Sequence, residues 1–110
     1  MILIPIAVSR LLFAAPSNLA SEFYQVARTL KLPRELREQL VRAASSIALN
    51  LAEGRGKPTR PDQVRFFHIA FGSLRECQAI LSLAELTDSV AFQKLDVLGA
   101  HLYRLIQRAG

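Results

Sequence analysis

The chain has 110 residues, 51% hydrophobic and 21% charged, with a formal net charge of +5. This balance describes one globular domain with enough apolar surface for a core, and it excludes a disordered chain. Of the fourteen cations eleven are arginine, whose planar guanidinium suits phosphate better than an ammonium does, so an anionic partner is the expectation, with simple solubility as the alternative.

Residues 1–18 read as an N-terminal apolar arm and residues 19–110 as the domain proper. The run MILIPIAVSRLLFAAP has the look of a leader, but no cation precedes its apolar stretch, Pro5 interrupts it and Arg10 lies inside it. It is too short and broken to span a bilayer. The expectation is a cytoplasmic protein with no membrane segment.

The remaining punctuation predicts four helices. Pro16-Ser17-Asn18 opens the first, with Ser17 or Asn18 as cap. Leu19, Phe23, Val26 and Leu30 then share a face, and Leu32-Pro33 closes the segment. The second helix is expected from Arg34 to Glu53, with Leu36, Leu40, Ala43, Ile47 and Leu51 as its apolar stripe. Gly54 is expected to stop it by taking the left-handed conformation. Thr59-Arg60-Pro61-Asp62 begins the third with an N-cap hydroxyl, a first-turn proline and an early acid, and that helix should run to about Leu86. Thr87-Asp88-Ser89 caps the fourth, in which Phe92, Leu95, Leu98, Leu102, Leu105 and Ile106 lie on one side. No segment alternates like a strand. The fold class is all-α, an antiparallel up-down four-helix bundle.

Within the third helix, residues 66–74 (FFHIAFGSL) are apolar on nearly every side. Such a helix must be covered all round, and in so small a domain another chain is the natural cover. A homo-oligomer is therefore expected. The alternative is that the N-terminal arm folds over this face.

The stretch Gly54-Arg55-Gly56-Lys57-Pro58-Thr59 contains Gly-Lys, but it is no nucleotide-hydrolysing loop. Leu51 stands where the first glycine of that motif belongs, and Pro58 stands where its magnesium-binding hydroxyl belongs. What remains is a basic joint: Arg55, Lys57, Arg60 and Arg65 are the candidate phosphate contacts, with Arg34, Arg37 and Arg75 as weaker ones. A polar stripe on the second helix, Gln39, Arg42, Ser46, Asn50 and Glu53, faces Ser73 and Glu76 of the third if the helices pack antiparallel. Arg42, Asn50, Glu53, Ser73 and Glu76 are then a candidate structural polar network that fixes helix register or a subunit contact. An acid–base pair on Glu53 or Glu76 is the catalytic alternative. Cys77 is the only cysteine, which excludes an intrachain disulfide, and His68 and His101 lack metal-site spacing, so no metal and no cofactor are expected. Cys77, Ser45, Ser46 and Ser73 fall in helices without a nucleophile turn. No enzyme is predicted.

Three blocks carry a resemblance: residues 39–47 (QLVRAASSI), residues 50–54 (NLAEG) and residues 69–76 (IAFGSLRE). In this order they resemble the signature of the four-helix-bundle proteins encoded in intervening sequences of bacterial 23S ribosomal RNA genes. That family also includes the accessory variability protein of diversity-generating retroelements. The likeness covers about Leu19 to Arg108. It implies an up-down bundle assembled as a barrel-like homopentamer and a basic surface that contacts RNA or DNA. It also implies a protein partner such as a reverse transcriptase. The chain departs from the pattern in a short link, Leu32-Pro33-Arg34-Glu35, and in the apolar residues before Pro16. The combined expectation is a non-enzymatic oligomeric bundle that binds nucleic acid, with a protein-interaction scaffold as the alternative.

Overall fold

The computed structural model describes residues 15–109. They form four helices and no strand: α1 (Pro16–Thr29), α2 (Arg34–Gly56), α3 (Arg60–Leu83) and α4 (Val90–Ala109). Each helix packs against its neighbour in the chain, and α1 also packs against α4, so the four close into a bundle. Most of the N-terminal arm, residues 1–14, lies outside the described residues, so its predicted place against the third helix is outside them too.

The apolar stripes build the core. Leu19 and Phe23 from α1 are fully buried, as are Leu40, Ile47 and Leu51 from α2. Leu74 and Leu81 from α3 meet them, with Leu95, Leu98 and Leu102 from α4. Among the described residues, no polar or charged residue is buried to the same degree. At about 25 cal/mol per Å² of apolar surface removed from water, burial of these side chains supplies the main stabilising force. Alanines at positions 20, 27, 43, 44 and 70 are buried as well and let the helices approach closely.

The helix ends differ from expectation in four places, the simplest being Thr59, which precedes α3 as its cap residue but makes no side-chain capping bond. α1 begins at Pro16, with Ala15 as its cap, so neither Ser17 nor Asn18 caps it. Proline at the first helical position lacks an amide that would have no partner there anyway, and its ring pre-sets the dihedral.

α2 does not stop at Gly54. It runs on to Gly56, and Lys57 is the first extended residue, at φ −80° and ψ 138°. Pro58 explains the stop, because a proline ring pushes the residue before it out of the helical region. Gly54 is instead buried against α3: a methyl there would lie 2.6 Å from Phe67 Cε1 and 3.2 Å from the Gln63 carbonyl oxygen.

α3 ends at Leu83 instead of Leu86. The Leu86 amide donates to the Leu81 carbonyl at 2.8 Å, the Glu85 amide donates to Ser82 at 3.1 Å, and Glu85 has φ 59°. This is the six-to-one and five-to-two pattern of a left-handed helix terminus, with glutamate in the place glycine usually takes. Ser89 then caps α4: its hydroxyl accepts from the Phe92 amide at 3.2 Å and donates to the Leu86 carbonyl at 2.6 Å.

Candidate nucleic-acid interface

The joint between α2 and α3 places the four expected phosphate contacts in two groups. Residues 55 and 57 lie two positions apart at the end of a helix, close to opposite directions at 3.6 residues per turn. Lys57 Nζ sits 5.1 Å from the centre of the Phe66 ring, and the Arg65 guanidinium carbon sits at the same distance, 5.1 Å. Two cations thus share one half-buried aromatic ring, an arrangement that holds both side chains near a common edge. Lys57 also lies 3.7 Å from Glu53 Oε2.

Arg55 and Arg60 belong to a second group. They line an open cavity of about 290 Å³ together with Gln63, Phe67, Leu105 and Arg108. Arg60 donates from Nη2 to the backbone carbonyl of Arg108, tying the first turn of α3 to the last turn of α4. Gln63 Nε2 donates to the Lys57 carbonyl at 2.9 Å and satisfies a free carbonyl at the end of α2. Arg108 was not among the expected contacts. Its only sequence signal is a cation in the last turn of α4, and its nearness to Arg60 comes from closure of the bundle.

The weaker candidates lie elsewhere. Arg34 pairs with Glu38 at 3.0 Å, with both side chains mostly exposed. Arg37 lines a separate depression with Glu38, Val41 and Arg42. Arg75 lies 5.0 Å over the Phe71 ring and donates to Gln78 Oε1 at 3.2 Å.

The expected polar network is brought together only in part. The Ser46 and Ser73 hydroxyls are 2.7 Å apart across α2 and α3. Asn50 Nδ2 donates to the Ser46 carbonyl at 2.9 Å and to its hydroxyl at 3.1 Å. Arg42, Glu53 and Glu76 stand exposed instead of joining this set: Glu53 meets Lys57, while Arg42 and Glu76 have no side-chain partner among the described residues. Full solvation of carboxylates and guanidinium outweighs burial as an ion pair, whose desolvation cost is high. Glu53 and Glu76 are therefore not a buried acid–base pair.

The apolar stretch at residues 66–74 is covered more fully within the chain than its composition predicts. Phe67, Ala70 and Leu74 enter the core. Phe66 lies under Lys57 and Arg65, and Phe71 lies under Arg75. Ile69 remains 43% exposed, and Leu49, on α2 one turn from the Ser46–Ser73 pair, is 66% exposed. Gly72, three residues after Ile69 on α3, is exposed as well.

Burial raises the Cys77 thiol to about 12, helped by the neighbouring Glu76 charge, so the sulfur behaves as a small apolar group. His101 is held below its ordinary value by burial and then by Arg104. Its Nδ1 lies 3.1 Å from Arg104 Nη2, and an arginine only donates, so Nδ1 accepts and the ring proton sits on the buried Nε2. Among the described residues no group of acids, cysteines or histidines is placed to hold a metal, and no helix is long and apolar enough to cross a membrane.

Fold and joint together define an all-α four-helix-bundle protein with a basic α2–α3 connection. The family model of 23S rRNA-intervening sequence proteins matches residues 15–108, and the chain belongs to that family. No protein of curated function matches the chain significantly.

Proposed function

We propose that this protein is a non-enzymatic, self-associating bundle that binds the backbone of RNA or DNA through its α2–α3 joint. The observation that carries this reading is the gathering of Arg55, Lys57, Arg60 and Arg65 at one end of the bundle, with Arg108 added from α4. Only Glu53 and Asp62 offset them within the joint and the first turn of α3. Clustered arginines and lysines bind polyanions by releasing condensed counterions, with little preference for sequence.

An antiparallel up-down arrangement is supported by contacts that run in opposite senses on the two helices, Ser46 with Ser73 and Gly54 with Phe67. Self-association is supported by Leu49 on α2 and Ile69 on α3, large apolar side chains left exposed, and by the exposed Gly72 one turn from Ile69. The homopentamer rests on the family resemblance, and a closed ring would repeat the basic joint around one rim. The same apolar patch favours the second reading, a scaffold that docks a protein such as a reverse transcriptase. In that case the joint cations serve solubility alone.

The test is the salt dependence of binding to a mixed-sequence RNA and a duplex DNA. Affinity should fall steeply with salt. Joint replacement of Arg55, Lys57, Arg60 and Arg65 by glutamine should flatten the slope by about one unit for each phosphate no longer neutralised. Undiminished binding by that variant would remove the joint from the interface, and no binding at low salt would leave the scaffold. Light scattering at tens of micromolar protein reads the oligomer, and a monomer there would defeat self-association.

A further inference from the structure

We propose that the Phe66 ring, with the Lys57 and Arg65 side chains over it, is a stacking platform for an unpaired base of a single-stranded nucleic acid. The proposal rests on reading the α2–α3 joint as a nucleic-acid interface, and it names the class of strand that the interface takes.

Phe66 stands apart from the other described phenylalanines. Phe23 and Phe67 are in the core, and the half-buried Phe71 and Phe92 pack against it. Phe66 is half-buried too, yet it belongs neither to the core nor to the residues packed against it. The groups over its ring are Lys57 Nζ and the Arg65 guanidinium carbon, each 5.1 Å from the centroid. Core packing therefore does not account for the place of this ring. Its cover is two cations on flexible stems.

Cover of this kind is readily exchanged. A cation over an exposed ring is held weakly, and the pair of Lys57 with Glu53, at 3.7 Å with both side chains partly exposed, adds little. When phosphates draw Lys57 and Arg65 outward, a face of the ring opens. A single strand brings a flat base and an anion at every nucleotide, the combination that matches a ring flanked by cations. The exposed Arg65 guanidinium is itself planar, and a base stacks on such a plane as well as on the ring.

The acids near this edge are Glu53 and Asp62, both exposed, with Asp62 one turn before Phe66 on α3. They oppose a phosphate, but a base carries no charge for them to repel. Stacking is thus the part of the interface that these acids leave intact. Every base has a π-face, so the contact adds affinity without choosing a sequence. In a duplex the base faces already cover one another, and the platform accordingly selects single strands.

The full chain is titrated at low salt with a mixed-sequence single-stranded DNA and with an abasic strand of equal length, which carries the same phosphates and no bases. The base-bearing strand is expected to bind about tenfold tighter, the scale of one base on an aromatic ring. Phe66→Leu should bring the affinity ratio of the two strands close to one, and Phe66→Tyr should keep it. Phe66→Leu should also weaken binding of the single strand more than binding of a duplex of the same sequence. Equal losses on both would overturn the selection for single strands. Equal binding of the base-bearing and abasic strands by the parent would overturn the platform and leave the backbone-binding reading standing. A ratio that Phe66→Leu leaves unchanged would place the stacking on another residue and overturn the platform as well. If that variant then sediments as a smaller assembly, the ring belongs to the contact between copies. No binding of either strand at low salt would overturn both the platform and the reading on which it rests.

Discussion

Gly54 and Phe67 are in contact so close that no other residue fits at position 54 without movement: a methyl would come within 2.6 Å of one ring carbon and 2.8 Å of the next. The ring cannot swing away, because Phe67 is itself buried, and the Gln63 carbonyl closes the other side at 3.2 Å. This contact sets the distance between the end of α2 and the start of α3, and with it the walls of the arginine-lined cavity.

Gly54→Ala should therefore destabilise the protein although alanine is the better helix former. The propensity gain is about 1 kcal/mol, and forcing a methyl into a packed site costs about 1–3 kcal/mol, more where backbone must move. A net loss on thermal or urea unfolding is expected, and Phe67→Leu in the same chain should recover part of it. A variant at least as stable as the parent would show that the helices part without cost.

This position also marks the limit of what the residues reveal in order. The stripes of α2, α3 and α4 were legible because period 3.6 repeats over many residues, and Pro33, Pro61 and Ser89 mark their starts. A glycine at the end of a stripe has two physical uses, a left-handed turn or a close approach, and only the partner helix decides between them. A polar stripe likewise tells which residues share a face, not what faces them. Ser46, Asn50 and Ser73 meet, while Glu53 and Glu76 reach water. Arg108 joins Arg55 and Arg60 only through tertiary closure, which no local pattern encodes.

Glu85 holds a left-handed conformation at φ 59° in the terminus of α3. A non-glycine residue there costs about 1–2 kcal/mol. The pattern of amide bonds around it does not use the side chain. Glu85→Gly should raise stability, by roughly 1 kcal/mol after the added freedom of the unfolded chain is subtracted. For a domain of this size that is a melting-temperature rise of about 4–8 °C at most. A fall in melting temperature would mean that the glutamate side chain holds the turn.

Cys77 gives a pH prediction of fixed sign. Its thiol is raised from 9.0 to about 12 by burial and by Glu76, so the fold prefers the neutral form. Above pH 9.0 the unfolded thiol ionises first, and the unfolded chain then binds fewer protons than the folded one. The Cys77 contribution is full below that pH and is lost as pH rises toward about 12. Cys77→Ala should accordingly lose less stability than the parent between those limits, read as the difference between two denaturant titrations. At pH 8 the native thiol should react with a disulfide reagent only at the rate of chain opening, because the thiolate is the reactive form.

Gly72 separates the packing of the chain from its assembly. A methyl at this position meets nothing within 4 Å, although the residue lies in the middle of α3. Within one chain Gly72→Ala should stabilise the helix by about 0.5–1 kcal/mol, because alanine loses less conformational freedom on folding. If the face bearing Leu49 and Ile69 meets another copy, the same methyl intrudes where two backbones approach, and association weakens. Melting at low protein concentration should thus move up while sedimentation shows a smaller assembly. A variant that melts higher and assembles as the parent does would place the contact between copies on another face, and Leu49→Ser with Ile69→Ser would then leave assembly unchanged as well.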